Sequence, residues 1–268
     1  MRIVASLIAL TGWVVAFGPT LGVWATDAWN DPNYGHVLLL SPILLLVGIF
    51  RTVRGSSAAR PLPWGLLLGA GVMSAAVGIL GSEAFTLRAG AVLSLAAVVL
   101  GLGGARLAKA WTAPILAHLC LIPWPYVVFY ALTAQLQRVA SAVAASALAW
   151  CGVPLARDGN LLRLPGYQLE VVEACSGIRG ILTLTALAAT LAVLARCGWR
   201  RTALLLMLAV PTAWLANLLR LLMTGVAAQL MGPQRADTIF HLAGGLGTFT
   251  LGVLVLSAVA FPRRREPR

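Results

Sequence analysis

The sequence predicts an all-α polytopic membrane protein of about eight transmembrane helices, with an outer interfacial helix and a small extracytoplasmic β-hairpin. Three observations predict it. Hydrophobic residues make up 60% of the 268 and charged residues only 10%, against about 25% charge in a soluble domain, and mean hydropathy is +0.89. Apolar runs close to span length recur from end to end. Basic residues lie in short clusters between those runs, so the net charge of +12 reads as topogenic charge and not as a nucleic-acid-binding face.

The runs fall at about 3–24, 35–50, 62–81, 85–104, 112–131, 174–195, 203–223 and 241–261, and each predicts a span. The first starts on Met1-Arg2 like a signal peptide, but it is long and lacks a small-residue cleavage site, so it reads as an uncleaved span. Residues 35–50 are short for a span, which predicts a helix beginning earlier. Residues 1–262 then form a single integral membrane domain, and 263–268 a basic cytoplasmic tail.

Charge placement decides how to read 132–153, which is apolar and Ala-rich enough to be a ninth span. With the N-terminus inside and eight spans, Arg51, Arg54, Arg60, Arg106, Lys109, Arg196, Arg200, Arg201 and the C-terminal arginines are cytoplasmic, as the positive-inside rule asks. Asp27, Asp31, Glu83, Asp158, Glu170, Glu173 and Asp237 are then outside. A crossing at 132–153 would put one basic cluster on the wrong side. The segment therefore lies in the outer interface or re-enters from it, and Gln135, Gln137 and Arg138 near its start suit an interfacial helix.

Residues 154–173 are the longest polar stretch. "NLLRL" and "YQLEVV" flank Pro165-Gly166, a pair suited to a tight turn between strands. This predicts a hairpin on the outer face that delivers Cys175 to the first turn of the sixth span.

Followed through that topology, Cys175 opens the sixth span, Arg220 lies about one turn from the outer end of the seventh, and His241 opens the eighth. A thiol, a guanidinium and an imidazole reach one leaflet on three consecutive helices. Helix N-terminal amides favour a thiolate, and an arginine within a span costs roughly 2.5–3.5 kcal/mol at mid-membrane. Asn217 lies one turn before Arg220 on the same face. Arg179, Ser176 and Glu173 are the other candidate supporting residues. Cys120, Cys151 and Cys197 read as small hydrophobes, and His118 as a residue packed between helices. The cysteine and histidine spacing predicts no disulfide framework, metal site or cofactor. Thiolate attack on an acyl carbon, proton transfer by imidazole and oxyanion stabilisation by a cation amount to peptide cleavage through a thioester. Two other readings stay open: a small transporter or channel whose Arg220 binds an anion, and a scaffold without chemistry.

"YGHVLLLSPILLLVGI", "IPWPYVVFYALTAQLQRVASAVAASALAWCGVP", "EVVEACSGIRG", "NLLR" and "FHLAGG" occur in this order between residues 34 and 245, within a likeness that covers roughly residues 10–260. The chain resembles the exosortase/archaeosortase family in these five blocks, although the family's usual "SHG" reads "YGH" at Tyr34 to His36. The resemblance implies a membrane-embedded cysteine protease or transpeptidase in a prokaryotic plasma (inner) membrane, with both termini cytoplasmic and the active site on the outer face. Its partners would be membrane lipid and exported proteins ending in a short motif, a transmembrane helix and a basic tail, the PEP-CTERM type in bacteria. Carried over by motif, Cys175 is the nucleophile, Arg220 the essential arginine and His241 the third catalytic residue. Histidine at that position fits the bacterial, exosortase-like branch.

Overall fold

A computed structural model describes the backbone of residues 2–53 and 64–262, and their side chains except at 2–7, 53, 103, 105, 106, 233–245 and 248. The basic tail 263–268, and Arg54 and Arg60, lie outside the described residues. The chain forms two compact units, Met1–Pro125 and Tyr126–Arg268.

The first unit holds α1 (Arg2–Asn30), α2 (His36–Val53), α3 (Trp64–Leu80) and α4 (Ala84–Leu119). α1 runs past the predicted end at residue 24. The second run does not begin early: the chain turns over 31–35, and the helix gains length at its C-terminal end instead. Gly104, at φ 54° and ψ −144°, breaks α4 where the fourth apolar run was expected to end. The fifth run, 112–131, is divided. Its first part completes α4 and its last part begins the next helix, because Pro123 and Pro125 remove backbone donors and restrict the residues before them.

α3 and α4 make the closest approach of this unit, backbone against backbone. A Cβ on Gly90 would stand 2.5 Å from Ala75 N and 2.6 Å from Gly71 O, and one on Gly78 would stand 2.4 Å from Leu87 N. Small residues at helical spacing drive such contacts where lipid provides no hydrophobic force between helices. Gly90→Ala is expected to destabilise the protein by about 1–3 kcal/mol, read as a lower melting temperature in detergent. Polar ties complete the packing. Trp13 Nε1 donates to Ser94 Oγ at 3.0 Å, Arg88 is buried and pairs with Asp27, and Trp111 Nε1 donates to Thr52 Oγ1 at 2.8 Å. His118 packs between helices as expected, buried, with Nε2 3.1 Å from Ser41 Oγ.

Glu83 caps α4 by accepting from Thr86 N at 2.7 Å. Partial burial pushes its carboxyl upward, but the Thr86 and Phe85 amides, the Thr86 hydroxyl and Arg88 outweigh burial and hold it below the usual range. A lowered folded value means that this stabilisation is present above the unfolded carboxylate value and is lost as pH falls through the folded one. Glu83→Ala is accordingly expected to cost about 0.5–2 kcal/mol near neutrality, with the difference in melting temperature shrinking on acidification.

The second unit holds α5 (Tyr126–Trp150), β1 (Ala156–Asp158), β2 (Leu161–Leu164), β3 (Tyr167–Glu170), α6 (Ile178–Leu194), α7 (Trp199–Met231) and α8 (Pro233–Ala260). The expected hairpin exists, with Leu164 opposite Tyr167 and Gly166 at φ 71° in the turn. A third strand, β1, pairs antiparallel with β2 and gives the order β1-β2-β3. The sheet buries Leu162, Leu164, Leu169 and Val171 against Ala140, Ala144, Ala145 and Leu148 of α5 and Leu221 of α7. The interfacial helix expected at 132–153 is thus α5, which starts six residues earlier and lays one face of its C-terminal half along the sheet.

α6, α7 and α8 share a core of Ile181, Leu184, Leu205, Ala209, Ala213 and Leu256. α7 has 33 residues, about 50 Å at 1.5 Å per residue, well beyond the roughly 30 Å of a bilayer's hydrocarbon. Its last third carries the sheet: Tyr167 packs on Ala227 and Ala228, and Gln229 Nε2 donates to Pro165 O at 3.3 Å.

By length and composition, four of the described helical segments can cross a membrane: Ile8–Asn30, Ala84–Leu102, Tyr126–Trp150 and Trp199–Met231. The apolar stretches His36–Thr52, Trp64–Leu80, Ile178–Leu194 and Phe249–Ala260 are shorter. Of the eight predicted runs, three therefore reach full spanning length, four are shorter and the fifth is divided between α4 and α5, while Tyr126–Trp150, most of which was read as interfacial, also meets the length.

Candidate active site

The sheet hands the chain directly to the candidate nucleophile. Val171 N donates to Asn160 O at 2.9 Å, and a 3₁₀ turn, Glu173–Cys175, follows, closed by Cys175 N to Val172 O at 2.8 Å and Ser176 N to Glu173 O at 3.0 Å. Ser176 is fully buried. Its hydroxyl donates to Glu173 O at 2.7 Å and accepts from Ile178 N at 3.1 Å. Gly177 takes φ 93°, and α6 begins only at Ile178. Cys175 is therefore not in the first turn of the sixth helix, as the sequence had suggested. A serine that bonds to nearby backbone favours a turn over a helix, and the left-handed residue that follows requires glycine.

Two side chains of α7 hold this turn from the side. Asn217 Nδ2 donates to Cys175 O at 2.6 Å, and Arg220 Nη2 donates both to Ala174 O at 2.7 Å and to Asn217 Oδ1 at 2.8 Å. Three of the sequence-predicted residues are thus gathered at one point from segments more than 40 positions apart. The guanidinium and the amide reach the backbone carbonyls, not the sulfur. Cys175 itself is half-buried, packed against the cluster of the sheet and α5.

On the α6–α7–α8 side of the turn lies a cavity of about 320 Å³. Its polar lining is Arg179, Thr183, Asn217 and Arg220, and its apolar lining includes Gly180, Leu184, Ala213, Ala216 and Phe249. Ala174 and Gly177 of the turn also line it, whereas Cys175, between them in sequence, packs on the sheet cluster instead. Of the candidate supporting residues, Arg179 and Asn217 line the cavity, Ser176 is part of the turn's buried hydrogen bonding, and Glu173 opens the turn. The α8 helix carries position 241, but the side chain of His241 lies outside the described residues.

Sequence reading missed Gly177 and the Ala174 carbonyl. The signal available was the dipeptide Ser176-Gly177 directly after the cysteine, which reads as a turn. The turn thus carries a half-buried thiol next to a cavity whose lining combines two guanidinium groups, an amide and a hydroxyl with apolar side chains, and a cation in such a setting is suited to stabilising negative charge on a bound oxygen.

A family model described as transmembrane exosortase matches residues 28–258, a range that includes Cys175, Arg220 and His241. No curated protein and no solved structure matches the chain.

Proposed function

The chain belongs to the transmembrane exosortase family, multi-pass membrane proteins that sort exported substrates, and from that premise we propose that it cleaves C-terminal sorting signals through a Cys175 thioester at the outer boundary of a prokaryotic plasma membrane. The carrying observation is that Arg220 and Asn217 both bond to the carbonyls of the Ala174–Cys175 segment. That contact joins two of the family-like blocks at the candidate nucleophile.

In the proposed mechanism a rotation about χ1 turns the Cys175 sulfur from the apolar cluster into the cavity. Sulfur attacks the scissile carbonyl carbon, and Arg220, through donors other than Nη2, stabilises the oxyanion. His241 accepts the thiol proton and returns it to the leaving amine as the C–N bond breaks. Water, or an amine acceptor in a transpeptidation, then releases the acyl group from sulfur.

Helix arithmetic supports the location. Arg220 is 20 residues from Arg200, or about 30 Å along the helix, which matches the hydrocarbon thickness. With Trp199, Arg200 and Arg201 at the cytoplasmic interface, Arg220 falls at the opposite boundary. α7 and α8 are joined through Gly232 alone and pack on each other. His241 lies nine residues beyond that glycine and Met223 nine before it, so the hairpin brings position 241 within a turn of the level of Arg220.

Two experiments test the proposal. A reporter fused after Gly159 is expected to lie outside the cell; a cytoplasmic reporter would put Cys175 on the wrong side. His241→Ala is expected to slow processing by about 10²–10⁴-fold. With a tail-anchored substrate the parent protein is expected to show a Cys175-linked adduct by mass spectrometry after rapid denaturation and His241→Ala to form it more slowly, since both proton transfers precede the thioester; processing at the parent rate would remove His241 from the mechanism.

A further inference from the structure

We infer that Asn217 is a positioning residue: its amide, held by Arg220, fixes the Cys175 carbonyl and with it the direction from which sulfur meets the substrate. The inference rests on the reading of Cys175 as nucleophile.

Asn217 is only 8% exposed, and a buried amide requires partners on both its oxygen and its nitrogen. Both lie within the site. Oδ1 accepts from the Arg220 guanidinium at 2.8 Å, and Nδ2 donates to Cys175 O at 2.6 Å. A cation on one side and a carbonyl oxygen on the other leave one orientation of the amide, oxygen toward arginine and nitrogen toward the turn. No carboxylate or aliphatic side chain of that size can serve both.

The turn needs such an anchor. A three-residue 3₁₀ segment has poorer hydrogen-bond geometry than an α-helix, and the left-handed Gly177 follows within two residues. A Cβ at Gly177 would stand 3.5 Å from the Asn217 amide nitrogen and Cβ, so the same side chain also forms the seat on which the turn rests. Backbone bonds secure the upstream side of Cys175; Asn217 secures its carbonyl. Without that anchor the turn can shift as a whole and carry the Cys175 Cα, and the sulfur on it, with it, and a displacement of about 1 Å in a reacting group is enough to lower a rate on the order of 10²-fold.

The test is Asn217→Asp, which keeps size and the contact with Arg220 but sets a carboxylate oxygen against the Cys175 carbonyl. Purified variant in detergent, with enzyme counted by Cys175 alkylation, would be assayed on a reporter bearing a C-terminal signal that the parent protein cleaves. The expected result is a kcat about 10–100-fold lower with KM within about threefold, and an Asn217→Ala, Arg220→Ala double variant no slower than Arg220→Ala alone. A packing role would reduce the amount of enzyme without moving kcat per alkylated thiol. Should the Asp variant not accumulate, Asn217→Ala carries the same expectation. Parent-like kcat in Asn217→Asp or Asn217→Ala, with Cys175→Ala inactive, would overturn the inference; processing by Cys175→Ala would instead overturn the functional reading on which it rests.

Discussion

Cys175→Ala and Cys175→Ser are both expected to reach the membrane in normal amount and to lose processing by about 10³-fold or more, since the thioester cannot form without sulfur. The structural cost is small. Cys175 is half-buried at the edge of the sheet cluster, and trimming one such atom stays within about 1–2 kcal/mol. Serine adds a sharper criterion, because it keeps shape and a hydrogen-bonding group while losing thiolate nucleophilicity. The comparison is the ratio of full-length to shortened substrate on a gel, normalised to inserted enzyme. Unchanged processing in either variant would end the thioester reading. The scaffold reading predicts that outcome, and the anion-transporter reading predicts indifference at Cys175 but sensitivity at Arg220.

Arg220→Ala is the second large effect, expected at about 10²–10³-fold in kcat. It removes the anchor of the Ala174 carbonyl, releases the Asn217 amide and takes a cation from the cavity wall. Failed insertion does not explain such a loss, because exchanging an arginine at the hydrocarbon boundary for alanine makes the span more apolar and no harder to insert. Arg220→Lys is expected to recover little. An ammonium is a point donor on a flexible stem, and it cannot serve Ala174 O, Asn217 Oδ1 and a substrate oxygen together as the planar fork can. A lysine variant within about threefold of the parent would show that charge alone is required.

The parts of this architecture with local chemical causes could be read from the residue string. Pro165-Gly166 marked the β2–β3 turn, Gly104 ended its helix where the apolar run ended, and Arg220 stood out because a charge in an apolar run needs a partner. What escaped has causes that hydropathy does not carry. The seventh run was bounded at 223 by apolarity, yet α7 continues to Met231 because the sheet packs along it. β1 is three exposed residues defined only by its pairing. The fifth run looked continuous because Pro123 and Pro125 count as mild in hydropathy while breaking backbone pairing. At the candidate site, three residue types were visible in advance, but the left-handed turn that separates Cys175 from α6 is a consequence of Ser176 and Gly177 acting together.

The overshoot of α7 has a practical corollary. On the proposed orientation, the nucleophile is tied at the membrane boundary to a stiff post that continues past it and is braced there by a small sheet, so its depth is set by a rigid rod and not by a floppy loop. Such a device acts as a ruler: adding residues between a substrate's cleavage motif and its own anchor should carry the motif out of reach, however faithfully its letters are kept.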